Sequence, residues 1–125
     1  MEPIALRGAA GPDQRPEALR AAAPPPPAEI FFDRQELRAI LDVYGRKVAA
    51  GEWRDYAIDS SRERAVFSVF RRASEYPIYR IEKNPRLARK QGSYAVVAAG
   101  GLVLKRGHEL DRVLSVLEKR LRLVG

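Results

Sequence analysis

The hydrophobic period of this chain changes twice, and those changes limit the folds open to it. Between Leu37 and Val48, apolar residues recur three and four positions apart, which places Leu37, Ile40, Leu41, Tyr44 and Val48 on one face of a helix. After Gly51 the pattern becomes short aromatic and β-branched runs. The helical period returns with Leu110, Val113, Leu114, Leu117, Leu121 and Val124. A helix, a run of strands with short connections and a second helix predict an α+β domain. Its sheet would be antiparallel, of four to five strands, with both helices on one face.

Local signals sharpen this reading. Asp33 stands where a helix N-cap belongs, Glu36 completes a capping box, and Phe32 and Leu37 occupy the two positions of a hydrophobic staple. The helix is expected to start at Arg34 and run to about Ala50, with Gly51 as its stop. Gly45 inside it costs about 1 kcal/mol relative to alanine, and a close packing contact would account for it. Strands are predicted near residues 53–60, 64–72 and 77–83. The stretch "SYAVVAAGGLVLKR" predicts a hairpin with Gly100 and Gly101 in a two-residue primed turn. In the second strand Ala65, Phe67 and Val69 share one side, and Val66 and Phe70 share the other with Ser68 and Arg72. Arg72, Arg80 and Glu82 are expected on the sheet face away from the helices.

Residues 1–28 have a different character. They are rich in Ala, Pro and Gly, end near the four prolines Pro24 to Pro27, and sustain no apolar period. Such a segment buries too little surface to offset its ordering entropy, so a disordered tail is expected before a single domain at 29–125. No run approaches the roughly 20 apolar residues of a membrane-spanning helix. Glu2, Pro3, Gly8, Gly11 and Pro12 interrupt any secretory signal. The absence of cysteine excludes a disulfide framework and thiol catalysis and fits a reducing compartment. These features predict a cytoplasmic protein.

Charge is the strongest functional hint. The net charge is +7, which draws a protein to polyanions in a salt-dependent way. Bases and acids balance in the first 28 residues, whereas Arg62 to Arg106 carry eleven bases against only Glu63, Glu75 and Glu82. Arg71 and Arg72 close one predicted strand, Arg80 and Lys83 lie on the next, Arg86, Arg89 and Lys90 follow in the loop "NPRLARKQGS", and Lys105 and Arg106 end the hairpin. In a meander, alternate strand ends return to one edge, so these side chains are candidates for a single anion-binding or nucleic-acid-binding patch. Tyr76, Tyr79 and Tyr94 lie among them as candidates for stacking on unpaired bases.

Catalytic chemistry finds little support. His108 is the single histidine, so a multi-histidine metal site is absent, and no metal or other cofactor is expected. "GGLVLKRG" lacks the spacing of a phosphate-binding P-loop. Asp55 and Asp59 would stand about 13 Å apart along a strand, too far for a carboxylate dyad. Ser60 and Ser61 fit a turn better than a nucleophile. The chain therefore reads as a small, basic, non-enzymatic binding module that engages nucleic-acid phosphates. The alternative is an accessory subunit that docks on an acidic protein partner or larger assembly through the sheet face carrying Val66 and Phe70. The sequence leaves the oligomeric state open.

From Phe31 onward, "FFDR", "YGR", "AAGEWRDYAID", "AVFSVFRRASE", "YRIEK", "LARKQGSY" and "LKRGHEL" resemble a family of short alphaproteobacterial proteins catalogued as domain of unknown function 2794. The resemblance covers about three quarters of the chain and implies a bacterial source and a compact domain after a variable tail. It implies no activity, cofactor or residue role.

Overall fold

Asp33 starts the first helix in the expected way. Its carboxylate accepts the Glu36 backbone N–H at 2.8 Å, and the Glu36 carboxylate accepts the Asp33 N–H at 2.8 Å. This reciprocal pair satisfies two donors that the first turn would leave without partners, a cap that stabilises a helix by about 1 kcal/mol. The computed structural model describes residues 28–72 and 76–124, with side chains as far as 118. The tail reading lies outside the described residues, as do the side chains of Leu121 and Val124.

The order is helix α1 (Arg34–Ala49), strands β1 (Asp55–Ser60), β2 (Ala65–Phe70), β3 (Tyr79–Lys83), β4 (Tyr94–Ala98) and β5 (Val103–Gly107), and helix α2 (Leu110–Val124). The strands form one antiparallel meander in sequence order, so β1 and β5 are its edges. Alternation sends Ala65, Phe67 and Val69 of β2, Ile81 of β3 and Val96 of β4 to the face beneath the helices, all with no exposed surface. They pack with Ile40 and Val43 of α1 and Leu110, Val113, Leu114 and Leu117 of α2. Burial of each Val, Leu, Ile or Phe side chain in this set contributes about 1.5–3 kcal/mol. Arg80 and Glu82 lie on the opposite face, opposite Ser68 and Val66.

Two local expectations are corrected. The buried residues of α1 are Glu36, Ile40, Val43 and Lys47, whereas Leu41 and Val48 stay 38% and 40% exposed. The helix lies on the sheet and also beside α2, with the Lys47 ammonium 3.5 Å from the Leu117 carbonyl oxygen and Arg46 paired to Glu118 at 2.8 Å. Its inward stripe therefore turns toward α2, and two of its positions are charged. The hairpin tip is a three-residue turn, Ala99–Gly101, with Gly100 and Gly101 both at positive φ. The Ala98 N–H closes it on the Leu102 carbonyl at 2.7 Å. A register shift opposite Val96 and Val97 absorbs the extra residue, a β-bulge in the ladder with β5.

Candidate functional site

The loop between β3 and β4 has a specified backbone. The Asn84 N–H donates to Ser93 O at 2.7 Å and closes the loop at its base, and the Asn84 side chain accepts the Arg86 N–H at 3.1 Å. Pro85, with its fixed φ, opens a 3-10 turn over Pro85–Leu87. The Leu87 carbonyl then accepts the N–H groups of Lys90, Gln91 and Gly92 at 3.1, 3.1 and 2.8 Å. Gly92 is buried at φ +100, and a Cβ there would come within 2.2 Å of the Gly107 carbonyl carbon. The end of the loop thus lies against the end of β5, an approach that only glycine permits.

The side chains on this frame behave differently. Arg86, Arg89 and Lys90 are exposed, and none of them forms an ion pair with another described residue. Meander topology also brings the β1–β2 turn to this end of the sheet, with Arg62 and Arg64, together with Arg106 near the end of β5. Arg62 and Arg64 escaped the sequence reading, although the antiparallel strand order is the signal that locates them.

Arg71 and Arg72 sit at the other end of β2, about 17 Å away along the strand. The basic residues therefore do not converge on one patch, because the two termini of β2 lie at opposite ends of the sheet. Arg80 is 3.2 Å from Glu82 and shares that buried carboxylate with Arg64 at 3.3 Å. Asp59, Ser60, Ser68 and the two arginines line a shallow concavity of about 340 Å³ on the face away from the helices. Lys83 points to the helix side, 2.8 Å from both the Glu36 carboxylate and the Phe31 carbonyl oxygen. Lys105 is exposed on edge strand β5.

The tyrosines divide similarly. Tyr94 donates its hydroxyl hydrogen to Glu36, and burial followed by that hydrogen bond pushes its pKa above the ordinary value. Tyr79 is half-buried with its ring 6.1 Å from Trp53. Tyr76 is 91% exposed, but it stands in the β2–β3 connection, at the end of the sheet opposite the 84–93 loop. Val66 and Phe70 lie on the face away from the helices and are half-buried.

His108 is exposed just before α2. The Ser61 hydroxyl accepts the Glu63 and Arg64 N–H groups at 3.2 Å, which makes it a turn residue. No group of three or more His, Asp or Glu side chains among the described residues could hold a metal ion. No helix among them is long and apolar enough to cross a membrane.

No curated protein and no solved structure matched the chain. A family model matched over residues 30–114, from the segment before α1 to the first turns of α2. That span takes in all five strands and the 84–93 loop, and it is well over half of the chain, so the protein belongs to the family described as Protein of unknown function (DUF2794).

Proposed function

We propose that the protein is a non-enzymatic binding module that contacts nucleic-acid phosphates through Arg86, Arg89 and Lys90. One observation carries this reading: the backbone of the 84–93 loop is pinned by Asn84, Leu87 and Gly92, while its three basic side chains stay exposed and without ion pairs among the described residues. A fixed backbone lowers the ordering cost of binding, and unpaired cations exchange condensed counterions for direct phosphate contact. Arg62 and Arg106 extend the positive surface at the same end of the sheet. Arg64 and Arg80 add less, because Glu82 neutralises part of their charge.

Such contacts position a phosphate backbone without reading bases, so weak sequence preference is expected. Tyr76 and Arg71 lie too far away to join the same short contact.

The test is fluorescence anisotropy of labelled single-stranded RNA and duplex DNA with the full chain, at low and moderate salt. The comparison protein carries Arg86→Ala, Arg89→Ala and Lys90→Ala together. Binding should weaken with salt, and the triple variant should lower the salt slope on duplex DNA by about 3. The variant should melt with the parent, since removing unpaired surface charges shifts stability by no more than about 0.5 kcal/mol. Absence of binding at low salt, or binding indifferent to salt, would overturn the reading.

A further inference from the structure

The two edges of the sheet are built differently. Strand β5 presents Lys105 and Arg106 and sits at the β-bulge, and charge and distortion of this kind discourage another strand from pairing. Strand β1 has six residues, Asp55–Ser60, with no lysine, proline or bulge in its pairing to β2. The Ser61 N–H donates to Arg64 O across the turn, so by alternation Asp59, Ala57 and Asp55 direct their backbone groups toward β2. Tyr56, Ile58 and Ser60 direct theirs outward, along an edge that no other described strand pairs.

The surface beside that edge is apolar. Tyr56 and Ile58 are 45% and 44% exposed on the helix side of β1. The Tyr44 ring meets Tyr56 edge-on at 5.0 Å, which places α1 above this part of the sheet. Leu41 and Val48 are the exposed apolar residues of that helix. The shallow groove at Leu37 and Leu41 is bordered by charges of both signs, Arg34, Arg38 and Asp42.

We propose that β1 is the surface through which two copies of this chain pair, edge to edge and antiparallel. Charge favours a second copy over a polyanion, since β1 bears Asp55 and Asp59 and no base in a protein of net charge +7. The strand is also self-complementary. A two-fold axis at Ile58 sets Ile58 against Ile58 and Tyr56 against Ser60, so the outward backbone groups meet as hydrogen-bonded pairs. The same register sets Asp59 opposite Ala57, and no carboxylate faces its own copy. An axis perpendicular to the sheet keeps all helices on one face and brings the two α1 helices side by side, where Leu41 and Val48 lose exposure and Arg38 can meet Asp42. Two five-stranded sheets become one continuous sheet.

The chain has no cysteine, which permits a direct test. Cα atoms of a hydrogen-bonded antiparallel pair lie about 5.5 Å apart, inside the range of about 4.4–6.8 Å that a disulfide spans. Under mild oxidation the full chain with Ile58→Cys should form a covalent dimer at least about tenfold faster than one with Leu102→Cys, a 65% exposed position at the hairpin tip. Light scattering should give the parent twice the 14.0 kDa chain mass and Ile58→Lys the single mass. Leu41→Glu, on the helix surface, should also weaken the dimer and serves if Ile58→Lys fails to fold. A parent that stays at 14.0 kDa at about 100 μM overturns the proposal. So do equal oxidation rates at the two cysteines, or a dimer indifferent to both Ile58→Lys and Leu41→Glu.

Discussion

Tyr94 on β4 donates its hydroxyl hydrogen to the carboxylate of Glu36 in the first turn of α1, 58 residues away in sequence. The same carboxylate accepts the Asp33 N–H and the Lys83 ammonium, each at 2.8 Å. One buried acid thereby caps the helix, pairs with β3 and holds β4. Replacing it leaves the half-buried Tyr94 phenol without its acceptor and the Lys83 ammonium with the Phe31 carbonyl oxygen alone. Glu36→Ala should destabilise the fold by about 3 kcal/mol, read as a lower urea midpoint, because removing one member of a buried pair exposes the other to its desolvation penalty. A loss below about 0.5 kcal/mol, the range of an ordinary surface change, would contradict this role.

The Tyr94 contact also predicts a pH dependence. Burial, then the Glu36 hydrogen bond and charge, hold the Tyr94 pKa above its ordinary value of 10.0. The folded chain keeps a proton that the unfolded chain releases, so the stabilisation is complete below about pH 10 and declines as pH climbs toward the folded value. Tyr94→Phe has no such proton. Urea midpoints of parent and variant should therefore draw together between about pH 8 and about pH 11. A constant gap would show that the hydroxyl does not contribute in this way. Tyr44, also pushed up mainly by burial, is common to both proteins and cancels in the comparison.

Gly92 and Gly51 provide a matched pair. Both have positive φ, +100 and +78, but a Cβ meets the Gly107 backbone only at Gly92 and finds open space at Gly51. Gly51→Ala should cost only the backbone strain, about 1 kcal/mol. Gly92→Ala should cost more than about 2 kcal/mol, because the loop must also part from β5. Equal losses in chemical denaturation would remove the anchoring role assigned to Gly92.

The helix cap, the strand set and the inward side of β2 were legible because each rests on contacts near in sequence or on strict alternation. Asp33 and Glu36 are three residues apart, and Ala65, Phe67 and Val69 alternate without interruption. The true inward side of α1 was not legible. Glu36 and Lys47 are charged, so a hydropathy reading sends them to solvent, and only Lys83, Tyr94 and the Leu117 carbonyl, all distant in sequence, reveal why they turn inward. The basic residues show the same limit. Their number could be read from the chain, but Lys83 became a partly buried ion pair and Arg71 went to the opposite end of the sheet once the strands were ordered. What remained of the expected patch was its most local part, the 84–93 loop.

Gly45 was expected to mark a close packing contact, yet a Cβ built there meets nothing within 4 Å and the residue is exposed. No steric reason opposes alanine, and glycine in a helix interior lowers stability by about 1 kcal/mol. Gly45→Ala should therefore raise the melting temperature by about 4–8 °C, the shift that about 1 kcal/mol gives in a domain of this size. An unchanged or lowered value would point to a packing demand on this side of α1.

Lys47 supplies the complementary case. It is 3% exposed, its ammonium reaches the Leu117 carbonyl oxygen only at 3.5 Å, and burial lowers its pKa below 10.5 while Glu118 and Glu52 partly offset the loss. The depressed pKa means that the folded state binds this proton less well than the unfolded state does. Its unfavourable contribution is present at neutral pH and fades as pH rises through the folded value toward 10.5. Lys47→Met keeps the length of the side chain and removes the charge, so it should stabilise the fold at neutral pH by about 1 kcal/mol. That advantage should shrink as the medium becomes alkaline. Thermal melts of parent and variant at about pH 7 and about pH 10 check both the sign and the trend. A variant less stable at neutral pH would mean that the ammonium stabilises the contact between α1 and α2 rather than opposing it.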